Sequence, residues 1–190
     1  GALAADTVST SGASEAAALA CAGRGLTGGD VEHDAVTAWI APSLAVSAQG
    51  AVAVEDPGQS AVQAANSETG VIQDLPQGLA VSDMTQAFGK IPLAFDWAQV
   101  GMALISAHKL GGPKGIGALV MPRGTDLAAQ IKGGGQEMGR RSGTENVIGI
   151  AGFGAACEAA GRDFGAGVWD EVEKLRNILD STLAAEAKET

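Results

Sequence analysis

The chain has 190 residues, 46% of them hydrophobic, enough to bury one sizeable core, so a single domain or a large piece of one is expected. Its formal net charge of −10, with only 12 Lys and Arg scattered along it, argues against nucleic acid and anionic membrane surfaces as partners. No apolar run approaches the roughly 20 residues that span a bilayer, and no basic-then-apolar start marks a secretory leader, so a cytoplasmic protein is expected.

In chain order, residues 6–11 read as a short strand. Residues 11–23 follow as a helix, with Ser11 as its N-cap and Ser14 and Glu15 in the first turn. Residues 30–33 end a second strand, and residues 35–40 look helical until Pro42 stops them. Short apolar runs at 52–54 and 61–65 come next, the second leading into the polar loop Asn66-Ser-Glu-Thr-Gly70. Residues 79–83, 100–106 and 116–121 are further strands. Two helices close the chain. The first, residues 146–160, is apolar nearly all round, which predicts burial. In the second, Val168, Val172, Leu175, Ile178, Leu179 and Leu183 form a one-sided stripe that needs a partner surface.

Cys21 and Cys157 lie in alanine-rich, helix-like segments and are expected to be buried, inert thiols. His33 and His108 are isolated from both, so no metal-ligand spacing exists and no metal is expected. Glycines cluster at 28–29, 111–112, 115–117 and 133–135, as where backbone turns tightly around a site.

Several strand outlets carry polar residues: Ser11 and Ser14, His33, Asn66 and Ser67, Asp83 and Gln86, then Ser106, His108 and Lys109. In open α/β sheets such ends converge on one crevice, where ligands bind. The expected fold class is therefore α/β, three-layer, with a mostly parallel sheet. The most informative outlet is Ser106-Ala-His-Lys-Leu-Gly-Gly-Pro-Lys-Gly-Ile-Gly117. A lysine at a strand end suits a Schiff base to an aldehyde cofactor, and the small residues leave room for a flat ring. On that segment alone an ordinary loop lysine is the alternative. Gly-Pro-Lys-Gly lacks P-loop spacing, and the glycines at 149, 152 and 154 reverse the dinucleotide order inside a helix.

Six blocks occur in one order between Thr10 and Asn146. They are Thr10-Ser-Gly-Ala-Ser-Glu, Glu32-His-Asp-Ala-Val, Asn66-Ser-Glu-Thr-Gly-Val-Ile-Gln, Asp83-x-x-Gln-x-x-Gly-Lys, the Ser106-x-His-Lys segment, and Gly133-Gly-Gly-Gln-Glu-x-Gly-x-Arg-Ser-Gly-Thr-Glu-Asn. In these blocks the chain resembles the cysteine desulfurases, class V relatives within the fold-type I pyridoxal 5'-phosphate (PLP) enzymes. The resemblance implies a PLP-dependent transferase-like large domain, with Lys109 as the lysine that forms an imine with PLP. It implies Asp83 at the pyridine nitrogen, Gln86 at the phenolic oxygen and His33 stacked on the ring as a catalytic residue. Asn66 and Ser67 would lie on the cofactor loop, and Ala13, Ser14, Ser106 and His108 would meet the phosphate. Thr144 would reach the phosphate of the other subunit, which implies a homodimer. The implied reaction converts L-cysteine to L-alanine and passes persulfide sulfur to an acceptor protein for iron–sulfur cluster or thio-cofactor assembly.

The chain also departs from that pattern. Ser67 stands where relatives carry the second of two asparagines, and a serine is too short for the same ring contact. Ala17 and Ala18 replace an asparagine pair, and Ser14 a threonine. The segments before Asn66 and between Gln73 and Ser82 are short for parallel crossovers, so trimmed or absent helices are expected. The nucleophilic cysteine and the substrate-carboxylate arginine of relatives have no match, and neither Cys21 nor Cys157 fits that motif. The expected division is a partial PLP-binding large domain at 1–165, truncated at both ends, and a helix at 166–190 leading toward a small C-terminal domain. Such a portion alone is expected to be inactive. Two other readings stand beside it: a PLP-binding or dimerisation domain without turnover, and a class V selenocysteine lyase or other β-eliminating enzyme.

Overall fold

Strand β1 (Ala5–Thr10) leads into helix α1 (Ala13–Cys21), strand β2 (Thr27–Gly29), the one-turn helix α2 (Asp34–Thr37) and strand β3 (Ala41–Leu44). Strand β4 (Ser82–Asp83), helix α3 (Phe95–Ala98), strands β5 (Ala103–Ser106) and β6 (Gly117–Pro122), and the long helices α4 (Val147–Gly165) and α5 (Val168–Glu186) complete the order. The structure is a computed structural model that describes residues 5–187. The outer ends of the two expected units, 1–4 and 188–190, lie outside the described residues.

The main sheet runs β1-β6-β5-β4. Strand β6 is antiparallel to both neighbours, with Val8 and Leu104 each opposite Leu119, while β4 and β5 are parallel. Past β4, parallel bridges from Ala61 to Val81 and from Ser60 to Thr27 carry the pairing on to β2 and β3, which are also parallel. With β6 the reversed strand, the sheet is mostly parallel, as the polar strand outlets implied.

One face packs Val8, Leu104, Leu119 and Met121 against Ala16, Ala17, Leu19 and Ala20 of α1, with Val36 of α2 beside them. The small alanines let α1 lie close to the sheet. Gly117 does the same at the helix head: a Cβ there would come within 2.7 Å of the Gly12 Cα and 2.6 Å of the Ile105 carbonyl oxygen. On the opposite face Val62, Leu79, Val100 and Ala103 pack with Met84, Ala87, Phe88, Leu93 and Phe95. That third layer is built from α3 and irregular chain instead of long helices, in line with the short crossovers.

Three local expectations change. The second strand occupies Thr27–Gly29, and residues 30–33 form the turn that follows it. The helix expected over 35–40 stops at Thr37, because Ala41–Leu44 is drawn into parallel pairing with β2. Pro42 is tolerated there because β3 lies at an edge, where a missing N–H breaks no ladder. Helix α4 differs most. Its composition predicted burial, yet Ile148 is 87% exposed, Val147 and Phe164 are also exposed, and only Gly149 and Ala156 are buried. One side of α4 meets the 3-10 turn Ala107–Leu110, with Gly152 close to Pro113, and the other side faces outward. The α5 stripe is likewise exposed, with Leu175 at 68%.

Candidate functional site

The C-terminal ends of β1, β4 and β5 open onto one cleft of about 540 Å³. Into it the structure brings Ala13, Ser14, His33, Ser67, Asp83, Gln86, Ser106, His108 and Lys109, from five separate stretches of chain. Lys109 and His108 stand exposed on the 3-10 turn Ala107–Leu110, which β5 delivers to the cleft. The Ser106 Oγ and His108 Nδ1 are 2.8 Å apart, which steadies the imidazole beside the lysine.

At the head of α1 the N-cap is Gly12, and among the described residues no side chain accepts from the first-turn N–H groups. Ser11 is therefore not the side-chain cap that its position suggested. Its own backbone N–H instead donates to Glu15 Oε2 at 2.7 Å. The donors of the first turn, together with the positive end of the helix dipole, are left to the cleft, an arrangement that suits an anion.

Across the cleft, Asp83 Oδ1 accepts the Thr85 N–H at 2.9 Å. The Thr85 hydroxyl lines the same cleft, is buried, and has no hydrogen-bond partner among the described residues. Lys90 Nζ donates to the Gln86 carbonyl at 3.0 Å and lies 3.5 Å from its Oε1. Burial, and then the nearby Lys109 charge, hold the Lys90 amine below its ordinary value. His33 caps α2, its Nδ1 accepting the Ala35 N–H at 3.0 Å. In the neutral ring this places the proton on Nε2.

Two predicted residues stand apart. Asn66 is engaged with its own loop: its Nδ2 donates to the Val31 carbonyl at 2.9 Å, and its Oδ1 accepts from Glu68 and Thr69 N–H at 2.9 and 2.8 Å. It shapes the loop that presents Ser67, and it does not line the cleft as a cofactor contact would. Thr144 is exposed in a shallow neighbouring groove with Arg141 and Asn146, and Ser11 and Gly115 line both this groove and the cleft. Neither thiol reaches the cleft. Cys21 is buried, and burial pushes its thiol up to about 11. Cys157 is only half-buried, less than its alanine-rich surroundings suggested, and burial raises it too. Among the described residues, no group of three His, Cys, Asp or Glu side chains is placed to hold a metal, and no helix is long and apolar enough to cross a membrane.

Glu32 opens one of the sequence blocks but is given no role there. It is 5% exposed, and both its oxygens accept the Gln63 N–H, at 3.2 and 2.9 Å. Burial, with a smaller push from Asp83, raises its carboxyl to about 8 although the Gln63 bond opposes this. The folded chain thus binds this proton more tightly than the unfolded one. Its stabilising contribution is complete below the ordinary value of 4.5 and is lost as pH rises toward 8. Between pH 4.5 and 7 the loss is on the order of 3 kcal/mol. Glu32→Gln should therefore melt at a higher temperature than the wild type at pH 8 and close to it at pH 5. Melting curves at the two pH values check this, and a difference independent of pH would contradict the assignment.

Comparison with known proteins adds a second line of observation. Residues 52–188 match the family model described as Aminotransferase class-V. A cysteine desulfurase of Frankia sp. (strain EuIK1) is 40% identical over 199 residues, covering 80% of this chain and 47% of that protein. The chain thus spans about half the length of that relative. Among solved structures, the NifS-like protein from Rickettsia africae ESF-5 superposes with a TM-score of 0.83 at 28% identity, over 95% of this chain and 58% of that one. A structure described as SspA in complex with cysteine gives a TM-score of 0.69 at 27% identity, over 80% of this chain and 55% of that one.

Proposed function

This chain belongs to the aminotransferase class-V family, and we propose that it is the cofactor-binding portion of a PLP-dependent cysteine desulfurase. The observation that carries the reading is the convergence of Lys109, Asp83, His33 and the uncapped head of α1 on one cleft.

The residues present fit the cofactor. A phosphate finds the first-turn N–H groups of α1, with Ser14, Ser106 and His108 close by. The partnerless Thr85 hydroxyl and the Gln86 amide offer polar contacts toward a ring, and Asp83 suits a protonated pyridine nitrogen. PLP bound there supplies an electron sink for the bonds at the substrate's α-carbon.

The chain's own groups divide the remaining work. Lys109 holds the cofactor aldehyde and, when its amine is free, moves the α-proton of the substrate. Asp83 keeps a proton at the pyridine nitrogen. The α2 cap fixes the orientation of His33, which would stack on the ring of the bound cofactor. Ser67, shorter than an asparagine, lines the cleft at the position of the loop. The substrate proposed is L-cysteine, supported by the names of the relatives and by the cysteine-bound structure with the same fold. The sulfur would leave on a thiol from outside the cleft toward an acceptor protein, in iron–sulfur cluster or thio-cofactor assembly. In the same reading the functional unit is a homodimer. Thr144, exposed and outside its own cleft, then turns to the partner's phosphate. Residues 1–165 form the cofactor domain, and the helix in 166–190 leads to a small domain that covers its apolar stripe. The free thiols suit a reducing, cytoplasmic setting.

Titration of the chain with PLP tests this reading. A visible absorption band that saturates at one PLP per chain is expected, and a chain that gives no band would refute it.

A further inference from the structure

We propose that Glu15 and Arg141 are positioning residues whose ion pair couples cofactor binding at the head of α1 to the ordering of loop 131–146. The inference rests on the PLP-binding reading above. One carboxylate does two jobs at this point. Glu15 Oε2 accepts the Ser11 N–H at 2.7 Å, which closes the turn ahead of α1, and Oε1 accepts Arg141 Nε at 2.8 Å. A second guanidinium contact, Nη2 to Oε2, is 3.4 Å. The partners are 126 residues apart in sequence, and their side chains are only 16% and 23% exposed. Burial pushes the Glu15 carboxyl up, but the Arg141 and Ser11 bonds outweigh it and hold the group below its ordinary value. The pair is therefore ionised at neutral pH.

The loop that Arg141 holds is tied to the rest of the protein at few points, and at its end Asn146 Nδ2 donates to the Gly115 carbonyl at 3.4 Å. Five of its residues, Gly135, Glu137, Met138, Gly139 and Gly143, have positive φ, and two of these are not glycine. Its backbone closes on itself through Ser142 N–H to the Ile131 carbonyl at 3.0 Å and Gly143 N–H to Gln136 Oε1 at 3.1 Å. Two consecutive arginines tie it to the body of the protein, each to a different place. Arg140 bonds Asp6 at 2.9 Å and the Thr125 carbonyl at 3.0 Å, at the far end of β1 from the cleft. Arg141 bonds Glu15, which lines the cleft itself. An anion drawn to the α1 head acts on the same turn that the Glu15–Arg141 pair holds. Without the guanidinium, Glu15 would present an uncompensated carboxylate to that anion. Because coupling is reciprocal, what orders the loop must also tighten the site.

Hydrogen exchange of residues 131–146, measured with and without PLP, tests the coupling, while absorbance in the same samples reports cofactor binding. In the wild type, saturation with PLP should slow loop exchange by about fivefold or more. Arg141→Gln should bind PLP on the order of tenfold more weakly, with loop exchange no longer responding to it. Glu15→Gln at saturating PLP should lose the loop response as well. Asp6→Asn, which loosens the Arg140 anchor, should speed loop exchange throughout yet keep the PLP-dependent slowing, because that anchor does not touch the cleft. Slowing that persists in both Arg141→Gln and Glu15→Gln overturns the inference, as does a wild type that binds PLP with no change in its loop. A wild type that gives no absorbance change overturns the PLP reading, and this inference with it.

Discussion

Replacing Lys109 by alanine should abolish the visible band formed with PLP and any cofactor fixed by borohydride, leaving only weaker, reversible binding through the α1 head and the ring contacts. The expected loss of affinity is on the order of tenfold or more, since a covalent attachment contributes beyond the non-covalent contacts it leaves. Two other amines serve as controls. Lys90 is half-buried and already donates to Gln86, and Lys114 is exposed at the cleft rim. Lys90→Ala and Lys114→Ala should both keep the band, and peptide mapping of the reduced wild type should find the cofactor on Lys109. A label on Lys90 or Lys114 would overturn the assignment.

The second large effect expected is an absence of turnover by this chain's own thiols. Loaded with PLP and given L-cysteine, the chain should form less than one alanine per molecule, and Cys21→Ser and Cys157→Ser should change nothing. Persulfide formation needs a thiolate within about 3–3.5 Å of the substrate sulfur. Neither cysteine lines the cleft. Cys21 lies in the last turn of α1, its thiol raised to about 11, so at pH 7 about one molecule in 10,000 carries the thiolate. Cys157 sits in the middle of α4, rigid and half-buried. Alanine chromatography after incubation checks this. Multiple turnovers that vanish on Cys21→Ser or Cys157→Ser would identify a nucleophile among the described residues.

Much of the site was legible in the sequence because its parts are local. Ser106, His108 and Lys109 share one strand end, Asp83 and Gln86 another, and a strand can release its last residues only at its outlet. The head of α1 was legible as a helix start, but the capping chemistry was not. Ser11 has the side chain of an N-cap, yet Glu15 takes the Ser11 N–H and the first-turn donors stay with the cleft. Glu15 is also held by Arg141, which no local pattern connects to residue 15. Asn66 reads like a ligand-binding amide until the Val31 carbonyl, 35 residues away, engages its nitrogen.

Helix α4 and Glu32 mark the same boundary from opposite sides. Composition predicted a buried α4, and the described chain leaves most of it exposed. Nothing read from the sequence bore on the burial of Glu32, and the packing of residues 60–64 beside β2 buries it. Periodicity, turn chemistry and motif order act within a few residues, so the sequence by itself determined the strands of the main sheet, the main helices, the α/β class and the set of groups at each strand end. Burial, pairing and proton affinity depend on atoms that arrive from distant parts of the chain. Only the tertiary structure therefore decided that Asn66 shapes a loop, that Glu32 holds its proton, that α4 faces outward, and that Glu15 and Arg141 meet.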